Sequence, residues 1–384
     1  MPEYKREIGS GDAARFDQRD TMFNRPRDPE NSSPEILEMG KKHYGVRHFK
    51  DDEGYTLLDW AFAMGAWHLE RWWGFGNIVG NEGLYEWFPD QSQIALRDRI
   101  PEGQRWKTSD PEEMTRIVKT AATYLGASSV GICKLNPDWI YSHRFDPRNF
   151  SHSAIDDIPE DCTTAIVMAH EMDYTLMKTA PAYGENAATG RGYSVMAHVA
   201  SSVAHFLRDL GYKAIPSGND TALSIPLAID AGLGEIGRNG LLITPRFGPR
   251  VRISKVFTDL PLVPDKPTRI GVRRMCEVCG KCAKACPGNA ISTGNPTDKG
   301  LTLSNNHGIH KWYINPEKCF GFWVRNGGDC ANCIRVCVFN KPDTSLHSFV
   351  RWHVKNLPQF DNIYLKMDDV FGYGKRLKMG EIWK

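Results

Sequence analysis

The cysteines constrain this chain more than any other feature of its sequence. Eight of the ten fall between Cys276 and Cys337, and the other two, Cys133 and Cys162, stand apart in strand-like segments. Disulfide-forming cysteines would be spread more evenly along a chain of this size, whereas metal ligands are crowded together. We therefore expect the crowded eight to bind metal, and Cys133 and Cys162 to be small buried hydrophobic residues.

The first four crowded cysteines have the spacing Cys276-x2-Cys279-x2-Cys282-x3-Cys286-Pro287, which is the iron–sulfur run of bacterial ferredoxins. Three thiolates on one tight loop can bind three irons of a single cubane. The fourth begins a helix that points away and reaches a second cubane, and the proline makes the chain turn there. This spacing predicts a module that holds two clusters.

The second motif, Cys319-x10-Cys330-x2-Cys333-x3-Cys337, ends in the same way but has a longer first gap, and Val338 replaces the proline. A zinc ribbon, the alternative, uses paired Cys-x2-Cys hooks with four ligands for each ion, and the third cysteine followed by x3-Cys-Pro does not suit it. The sequence therefore predicts two [4Fe–4S] clusters, each of which takes ligands from both motifs. The ligands predicted for the first cluster are Cys276, Cys279, Cys282 and Cys337. Those predicted for the second cluster are Cys286, Cys319, Cys330 and Cys333.

The bulk properties are those of an ordinary globular protein. The 384 residues are enough for two or three domains, and 41% hydrophobic and 24% charged residues are typical values. A net charge of +2 gives no sign of a polyanion partner such as nucleic acid. No apolar stretch is long enough to cross a membrane, and the polar N-terminus lacks an apolar signal core.

Helix and strand signals alternate from residue 110 onward, which predicts an α/β layer architecture. Asp110 and Pro111 begin a predicted helix, 128–135 and 163–169 are predicted strands, and a second helix is predicted over roughly 193–210. A proline-rich stretch after Asp259 indicates a boundary. The predicted divisions are an aromatic-rich irregular region at 1–109, an α/β core at 110–265, a ferredoxin-like domain at 266–345, and an extension at 346–384 that packs on the rest.

The region before residue 110 is rich in aromatic side chains. They can form the core of an irregular subdomain, or the wall of an apolar substrate channel. Both interpretations stay open at this point, and the residues concerned are Trp60, Phe62, Trp67, Trp72, Trp73, Phe75, Tyr85, Trp87 and Phe88.

The segment Gly232-Leu-Gly-Glu-Ile-Gly237 matches the dinucleotide fingerprint G-x-G-x-x-G, but its flanks are reversed. The fingerprint needs a strand before it and a helix after it. Here a helix-like run precedes it and an apolar strand, 241–244, follows it. We therefore reject NAD. The glycines let the backbone approach something large and flat, or they form a plain tight turn.

Three runs of sequence resemble the catalytic subunits of respiratory reductive dehalogenases: the segment 183–220, the segment 232–262, and the two cysteine motifs. The resemblance covers roughly residues 110–345. It implies a nitroreductase-like α/β core that binds a corrinoid, joined to the ferredoxin-like 2[4Fe–4S] module. Members of this family replace a carbon–halogen bond with carbon–hydrogen in a small halogenated organic substrate, using two electrons and one proton.

The resemblance also assigns roles to residues by position. Tyr193 matches the proton donor of the family, Arg252 the basic residue beside it, and Asn219 a polar residue of the same pocket. Trp323 resembles an aromatic side chain that walls the substrate pocket. The family binds its corrinoid without a lower histidine ligand (base-off), and this chain has no Asp-x-His-x-x-Gly stretch to provide one. The residues predicted to lie against the corrinoid are Gly232, Gly234, Gly237, Arg238, Asn239 and Gly240.

Location and partners are expected from the resemblance alone. Family precursors usually carry a twin-arginine signal, which Arg273-Arg274 does not replace because no apolar segment follows it. If such a signal has been removed, the enzyme works at the outer face of the cytoplasmic membrane; if Met1 is the native start, it is cytoplasmic. The implied partners are a small integral-membrane anchor subunit and a respiratory electron donor, with a homodimer possible.

Two other functions remain open on the sequence. Epoxyqueuosine reductase, which modifies tRNA, uses the same cofactors. However, it has an Asp-Tyr-His segment where this chain has Tyr193-Ser194-Val195, and it has C-terminal helical repeats that are missing here. The other possibility is a 2[4Fe–4S] electron-transfer protein with an inert scaffold.

Overall fold

The computed structural model describes residues 15–46, 49–74, 83–87 and 103–384. Of the aromatic residues singled out above, Phe75, Phe88 and the side chain of Trp72 lie outside the described residues. In the described ranges no helix has the length and apolar character needed to cross a membrane.

The described residues form α-helices between residues 34 and 382 and strands between residues 129 and 258. The helices are α1 (Pro34–Tyr44), α2 (Leu57–Leu69), α3 (Pro111–Tyr124), α4 (Tyr174–Met177), α5 (Tyr183–Asp209), α6 (Ser224–Asp230), α7 (Val272–Cys279), α8 (Lys281–Lys284), α9 (Pro316–Asn326), α10 (Asn332–Arg335), α11 (Ser345–Asn356), α12 (Asp361–Val370) and α13 (Met379–Ile382). The strands are β1 (Ser129–Lys134), β2 (His143–Asp146), β3 (Ser151–Ala154), β4 (Thr164–Glu171), β5 (Ala214–Ser217), β6 (Glu235–Ile236), β7 (Leu242–Ile243) and β8 (Val251–Thr258). Single helical turns occur at Gln18–Asp20, Arg25–Arg27, Glu70–Gly74, Pro137–Trp139 and Pro358–Phe360.

The central sheet has the strand order β1-β4-β8-β5, and every neighbouring pair is antiparallel. Successive side chains of a strand point to opposite faces. Ile166 and Val256 therefore join the core under helices α3 and α5, whereas Val167 and Phe257 join the core under α6. Because helices cover both faces, β4 is buried on both sides and appears in the sequence as a continuous apolar run. The predicted mixed α/β class is confirmed.

The long helix α5 begins ten residues earlier than predicted, at Tyr183. Its first two turns are buried almost all round, including Glu185, Asn186 and Thr189. An apolar stripe with a period of 3.6 residues marks a helix that is buried on one face only. The N-terminal end of α5 therefore shows no such stripe in its sequence. Only the part from Tyr193 onward, which is exposed on one side, could be predicted as helix.

The cysteine-rich module and the C-terminal tail pack against each other. Helix α7 carries Arg274, which pairs with Asp361 of α12 at 2.7 Å. Lys281 of α8 pairs with Asp368 of α12 at 2.6 Å. The buried side chains Val272 and Val354 join the same small core. This arrangement fixes the cysteine loops against the tail.

The two isolated cysteines behave as expected. Cys133 lies on β1 and Cys162 just before β4, and both are buried and free of disulfides. The aromatic residues of the N-terminal region pack on α5: the ring of Trp60 contacts Tyr183, and Trp67 stacks on Tyr193. Tyr85 enters the main core. The region thus supplies core residues and also reaches the predicted proton donor.

Candidate active site and cluster-binding cysteines

Four cysteines from opposite ends of the module surround one cavity, which Gly237 and Arg238 also line. Three of the cysteines come from α7 and α8, where Gly280 makes the turn between the two helices with a left-handed φ of 62°. The fourth comes from the end of the second motif. They are Cys276, Cys279, Cys282 and Cys337.

The other four cysteines are also close together. Burial raises the pKa of Cys319 to about 11, and the charge of nearby Cys286 adds to that shift. Burial also raises the pKa of Cys330 to about 12, with Cys319 and Cys286 among its charged neighbours. Cys333 interacts with Cys319 and Cys330, and also with Cys282 of the first set. The structure therefore brings the eight cysteines together in the two crossed sets, and the sets are neighbours.

Backbone N–H groups point at sulfur atoms in both sets. The Arg238 N–H lies 3.4 Å from Cys276 Sγ, and the Ala290 N–H lies 3.3 Å from Cys286 Sγ. Hydrogen bonds of this kind stabilise thiolate charge and tune the reduction potential of an iron–sulfur cluster.

The side chain of Arg238 fastens the first cysteine loop. Its Nε and Nη2 donate to the carbonyl oxygen of Cys276 at 3.1 and 3.0 Å, and its Nη1 donates to the carbonyls of Ser292 and Gly294. The guanidinium also lies over the ring of Trp312, 4.5 Å from its centroid. These contacts give Arg238 a structural role, and its predicted contact with a corrinoid stays a prediction.

The glycine-rich segment forms the hairpin β6–β7 and follows helix α6, so the predicted order, a helix before the glycines and a strand after them, is confirmed. A β-carbon at Gly232 would lie 2.5 Å from the carbonyl oxygen of Lys266, and one at Gly234 would lie 2.2 Å from that of Ile243. Close approach of protein backbone thus explains both glycines. Contacts of this segment, including Gly237, Asn239 and Gly240, with a corrinoid remain predictions.

Tyr193, Asn219 and Arg252 meet although they come from three different elements. Asn219 Nδ2 donates to Tyr193 Oη at 2.7 Å, and Arg252 Nη1 donates to the same oxygen at 3.5 Å. The Arg252 guanidinium also lies over the phenol ring, 4.8 Å from its centroid. Arginine has no acceptor, and the asparagine contributes its NH2 group. Neither bond uses the phenol hydrogen, which is left available to a substrate.

Trp67 of α2 completes the surroundings of the phenol. Its ring stacks on Tyr193 with centroids 4.8 Å apart and planes inclined by 22°. Its indole Nε1 donates to Asn186 Oδ1 at 3.0 Å, and Asn186 Nδ2 donates to Asp329 Oδ2 at 2.6 Å. Asp329 directly precedes Cys330. The ring of Tyr193 is therefore held between Trp67 and Arg252, and Trp67 is hydrogen-bonded toward the second cysteine set.

The loop that carries Asn219 is anchored by Lys255, which the sequence analysis did not single out. This fully buried ammonium on β8 donates to the carbonyls of Gly218, Asp220 and Ala222 and to Ser224 Oγ. A lysine inside the apolar strand VRISKVFT was a signal for such a role, because a buried charge must be compensated.

Two buried carboxyl groups, which no local sequence pattern indicates, lie beside neighbours of Tyr193: Glu70 near Tyr85 and Glu185 near Arg252. Glu70 is 8% exposed, and burial raises its pKa to about 8, with the charge of Asp220 adding to the rise and a hydrogen bond from Tyr85 opposing it. Burial raises the pKa of Glu185 well above its usual value, the charge of Asp329 adds to the rise, and Arg252 opposes it. Both groups therefore favour the neutral acid.

Trp323 occupies a different place from the other predicted site residues. Its ring contacts Phe23 and Phe320, and it packs in a cluster with Ile36 of α1. Tyr193, by contrast, packs against the main core, which is a different cluster. The indole Nε1 of Trp323 is buried and has no hydrogen-bond partner among the described residues. A role of Trp323 in the substrate pocket stays a prediction.

Comparison with known proteins identifies the cysteine module and the family. Residues 275–341 match the model of the 4Fe-4S dicluster domain. A tetrachloroethene reductive dehalogenase from Desulfitobacterium hafniense is 37% identical over 387 residues, with 84% of this chain and 69% of that relative covered. An epoxyqueuosine reductase from Aliivibrio fischeri is more distant, with 25% identity and coverage of 60% of this chain and 67% of that relative.

A solved structure has the same fold. A catabolic reductive dehalogenase in complex with 3-bromo-4-hydroxybenzoic acid superimposes with a TM-score of 0.73 and 25% identity, over 96% of this chain and 48% of the other. This chain thus spans about half the length of that solved protein. The shared fold, the dicluster domain and the identity to the curated relative establish that this chain belongs to the reductive dehalogenases, a family of oxidoreductases.

Proposed function

We propose that this protein removes halide from a small halogenated organic molecule, with the balance R–X + 2 e⁻ + H⁺ → R–H + X⁻. The carbon–halogen bond breaks, halide leaves, and a carbon–hydrogen bond forms with a proton from Tyr193. The observation that carries the proposal is the phenol oxygen of Tyr193 held by Asn219 at 2.7 Å and by Arg252 at 3.5 Å, in a chain of this family. Two [4Fe–4S] clusters, held by the two cysteine sets, would relay the two electrons from an external donor. Cys282 of one set and Cys333 of the other are neighbours, which is compatible with that role.

The described residues fit the two kinds of cofactor. Two sets of four thiols fit two cubanes. Several buried polar atoms have no hydrogen-bond partner among the described residues, and the amide side chains of a corrinoid would satisfy such atoms. When bound, the corrinoid would supply a low-valent cobalt that reduces the carbon–halogen bond. One such buried polar atom, Asn239 Nδ2, belongs to the glycine-rich segment predicted to lie against the corrinoid. This proposal includes two further points: the α/β core is of the nitroreductase type, and the corrinoid is bound base-off.

The chain's own residues handle the proton. Tyr193 holds it on a phenol oxygen whose two protein partners are donors, so that the hydrogen can point at the substrate carbon. Arg252 stays charged throughout and stabilises the phenolate that is left. Asn219 fixes the direction of the phenol, and Trp67 prevents the ring from tilting. General acid catalysis of this kind is worth roughly 10² to 10⁴ in rate.

The partners and the location of the enzyme are part of the same proposal. We infer a small integral-membrane anchor subunit, an electron donor from the respiratory chain, and work at the outer face of the cytoplasmic membrane. A homodimer and a cytoplasmic enzyme that starts at Met1 are the alternatives to be tested. Sequencing the N-terminus of the native protein, and fractionating the cells that make it, would decide the location.

The activity is tested on anaerobically purified protein that contains iron, sulfide and cobalt. Reduced viologen as electron donor should support release of chloride from tetrachloroethene or bromide from 3-bromo-4-hydroxybenzoic acid, the molecules in the names of the two relatives. We expect about eight iron and eight sulfide per chain, one cobalt, and a base-off EPR signal of Co(II). Iron without cobalt, and no halide release from any organohalide, would leave only an electron-transfer protein.

A further inference from the structure

A second constellation of ligand-type side chains lies on the hairpin β2–β3. His143 on β2 and His152 on β3 share one face, because His152 pairs with Phe145, two residues after His143. Their imidazole rings lie 4.7 Å apart, inclined by 34°. Asp17, from the N-terminal segment, reaches over the same face. Its Oδ2 lies 2.8 Å from His152 Nε2 and 3.6 Å from His143 Nδ1.

We propose that Asp17, His143 and His152 form a binding site for a divalent transition metal ion, with Zn²⁺ as the expected ion. One ligand atom from each residue lies within 4.8 Å of the other two. Nitrogen and carboxylate ligands bind zinc at about 2.0–2.1 Å, so at tetrahedral angles they lie about 3.3 Å from each other. The distances of 2.8 and 3.6 Å from Asp17 lie on either side of that value.

The surroundings of the site suit a cation that keeps one water ligand. The three side chains are partly exposed, with His143 the most open at 42%, so an ion and a water molecule can enter. A cation close to this hairpin is Arg19, whose guanidinium lies over the ring of Phe145. Arg19 is already paired with Asp28 at 2.5 Å and with Glu30 at 3.0 Å, so its charge is compensated.

The ion would fasten the N-terminal segment to the core. Arg15 already donates to carbonyls on both sides of this hairpin, among them Tyr141 at 2.6 Å and Ile155 at 2.8 Å. Gln18 Oε1 accepts from the Phe145 N–H. A metal ion bound by Asp17 and both histidines would add a further link between this segment and the hairpin, and an ion that binds only the folded state stabilises it.

An ordinary histidine–aspartate ion pair is the alternative, and the chain offers a control for it. His310 Nδ1 lies 3.0 Å from Asp298 Oδ1, and no third metal-type ligand converges with them among the described residues. Removing His310 therefore removes a comparable pair without touching the proposed site.

The test uses holoprotein with its full iron content, from which a chelator first removes loosely bound metal before desalting. The protein is then titrated with Zn²⁺ in competition with a chromophoric chelator, and its iron content is measured at the same time. Wild type and His310→Ala should take up one Zn²⁺ that raises the thermal midpoint, and X-ray absorption should show two imidazole ligands. His152→Ala and Asp17→Asn should each bind this Zn²⁺ at least ten-fold more weakly. Equal binding by wild type and His152→Ala, an equal loss in His310→Ala, or zinc uptake matched by iron loss would overturn the proposal.

Discussion

Asn219 Nδ2 lies 2.7 Å from Tyr193 Oη, although one residue is on an exposed loop and the other in the middle of a long helix. Lys255 makes this possible, because it binds the carbonyls on both sides of Asn219 and sets the position of the loop. The side chain proposed as proton donor is thus oriented by a buried cation that it does not touch.

Tyr193→Phe should abolish most of the dehalogenation while the protein stays folded. The ring, and its stacking on Trp67, remain, and only the proton and the oxygen bound by Asn219 and Arg252 are lost. We expect both clusters and the corrinoid to be retained and halide release to fall by about two orders of magnitude or more. Arg252→Leu should act in the same direction. Turnover of Tyr193→Phe at close to the wild-type rate, with cofactors intact, would show that the proton comes from elsewhere.

Each crossing cysteine should affect the cluster of the other motif. Cys337 lines the cavity of Cys276, Cys279 and Cys282, so Cys337→Ala should damage the cluster held by the first motif. Cys286→Ala should damage the cluster held by the second. Iron content and the EPR spectra of the two reduced clusters provide the measurement, with Cys133→Ala as a control that should lose no iron. Damage confined to the mutated cysteine's own motif would contradict the crossed arrangement.

The stacking of Trp67 on Tyr193 depends on Gly190. A β-carbon at position 190 would lie 2.4 Å from Cδ1 of Trp67, so Gly190→Ala must push the indole away. We expect a stability loss of about 1–3 kcal/mol and a lower kcat, because the phenol is no longer held in line. Gly65→Ala is the control, since a β-carbon there meets nothing within 4 Å, and a helical alanine is favourable by about 1 kcal/mol. Unchanged kcat in Gly190→Ala would remove Trp67 from the positioning of Tyr193.

Glu70 should make folding stability depend on pH. Burial, with the charge of Asp220, raises its pKa from 4.5 to about 8, so the folded state holds the proton more tightly than the unfolded state. Its contribution is fully present below pH 4.5 and is lost as pH rises through 8. Glu70→Gln removes this loss, so its stability relative to wild type should rise by on the order of 2 kcal/mol between pH 6 and pH 9.

Thermal midpoints of wild type and Glu70→Gln, compared at each pH, provide the measurement for this prediction. The comparison cancels the titration of all other groups that the two proteins share. Parallel midpoint curves would show that Glu70 is ionised in the folded protein at neutral pH.

The cysteine module could be predicted from the sequence in most of its features. Its ligands lie on short helices and turns, and their spacing alone limits which sulfur atoms can share a cluster, so the grouping of Cys337 with Cys276 was already expressed in the pattern. The core strands could also be predicted, because apolar runs such as that around Val167 form only where a strand is buried. The first turns of α5 could not be predicted from the sequence, because a helix end that is buried on all sides has no apolar stripe.

The surroundings of Tyr193 were decided by the tertiary structure. Resemblance indicated Asn219 and Arg252, and the position of Lys255 within an apolar strand indicated a buried charge but not its partners. The stacking of Trp67 and the neutral acid Glu70 have no local sequence pattern. Each depends on which side chains from distant segments exclude water from a polar group. The sequence by itself determined the local order of ligands, helices and strands. Only the packing of those elements decided which charged side chains are buried and which of them lie next to each other. The reason is that water is excluded from a charged group, and distant segments come into contact, only when the core is assembled.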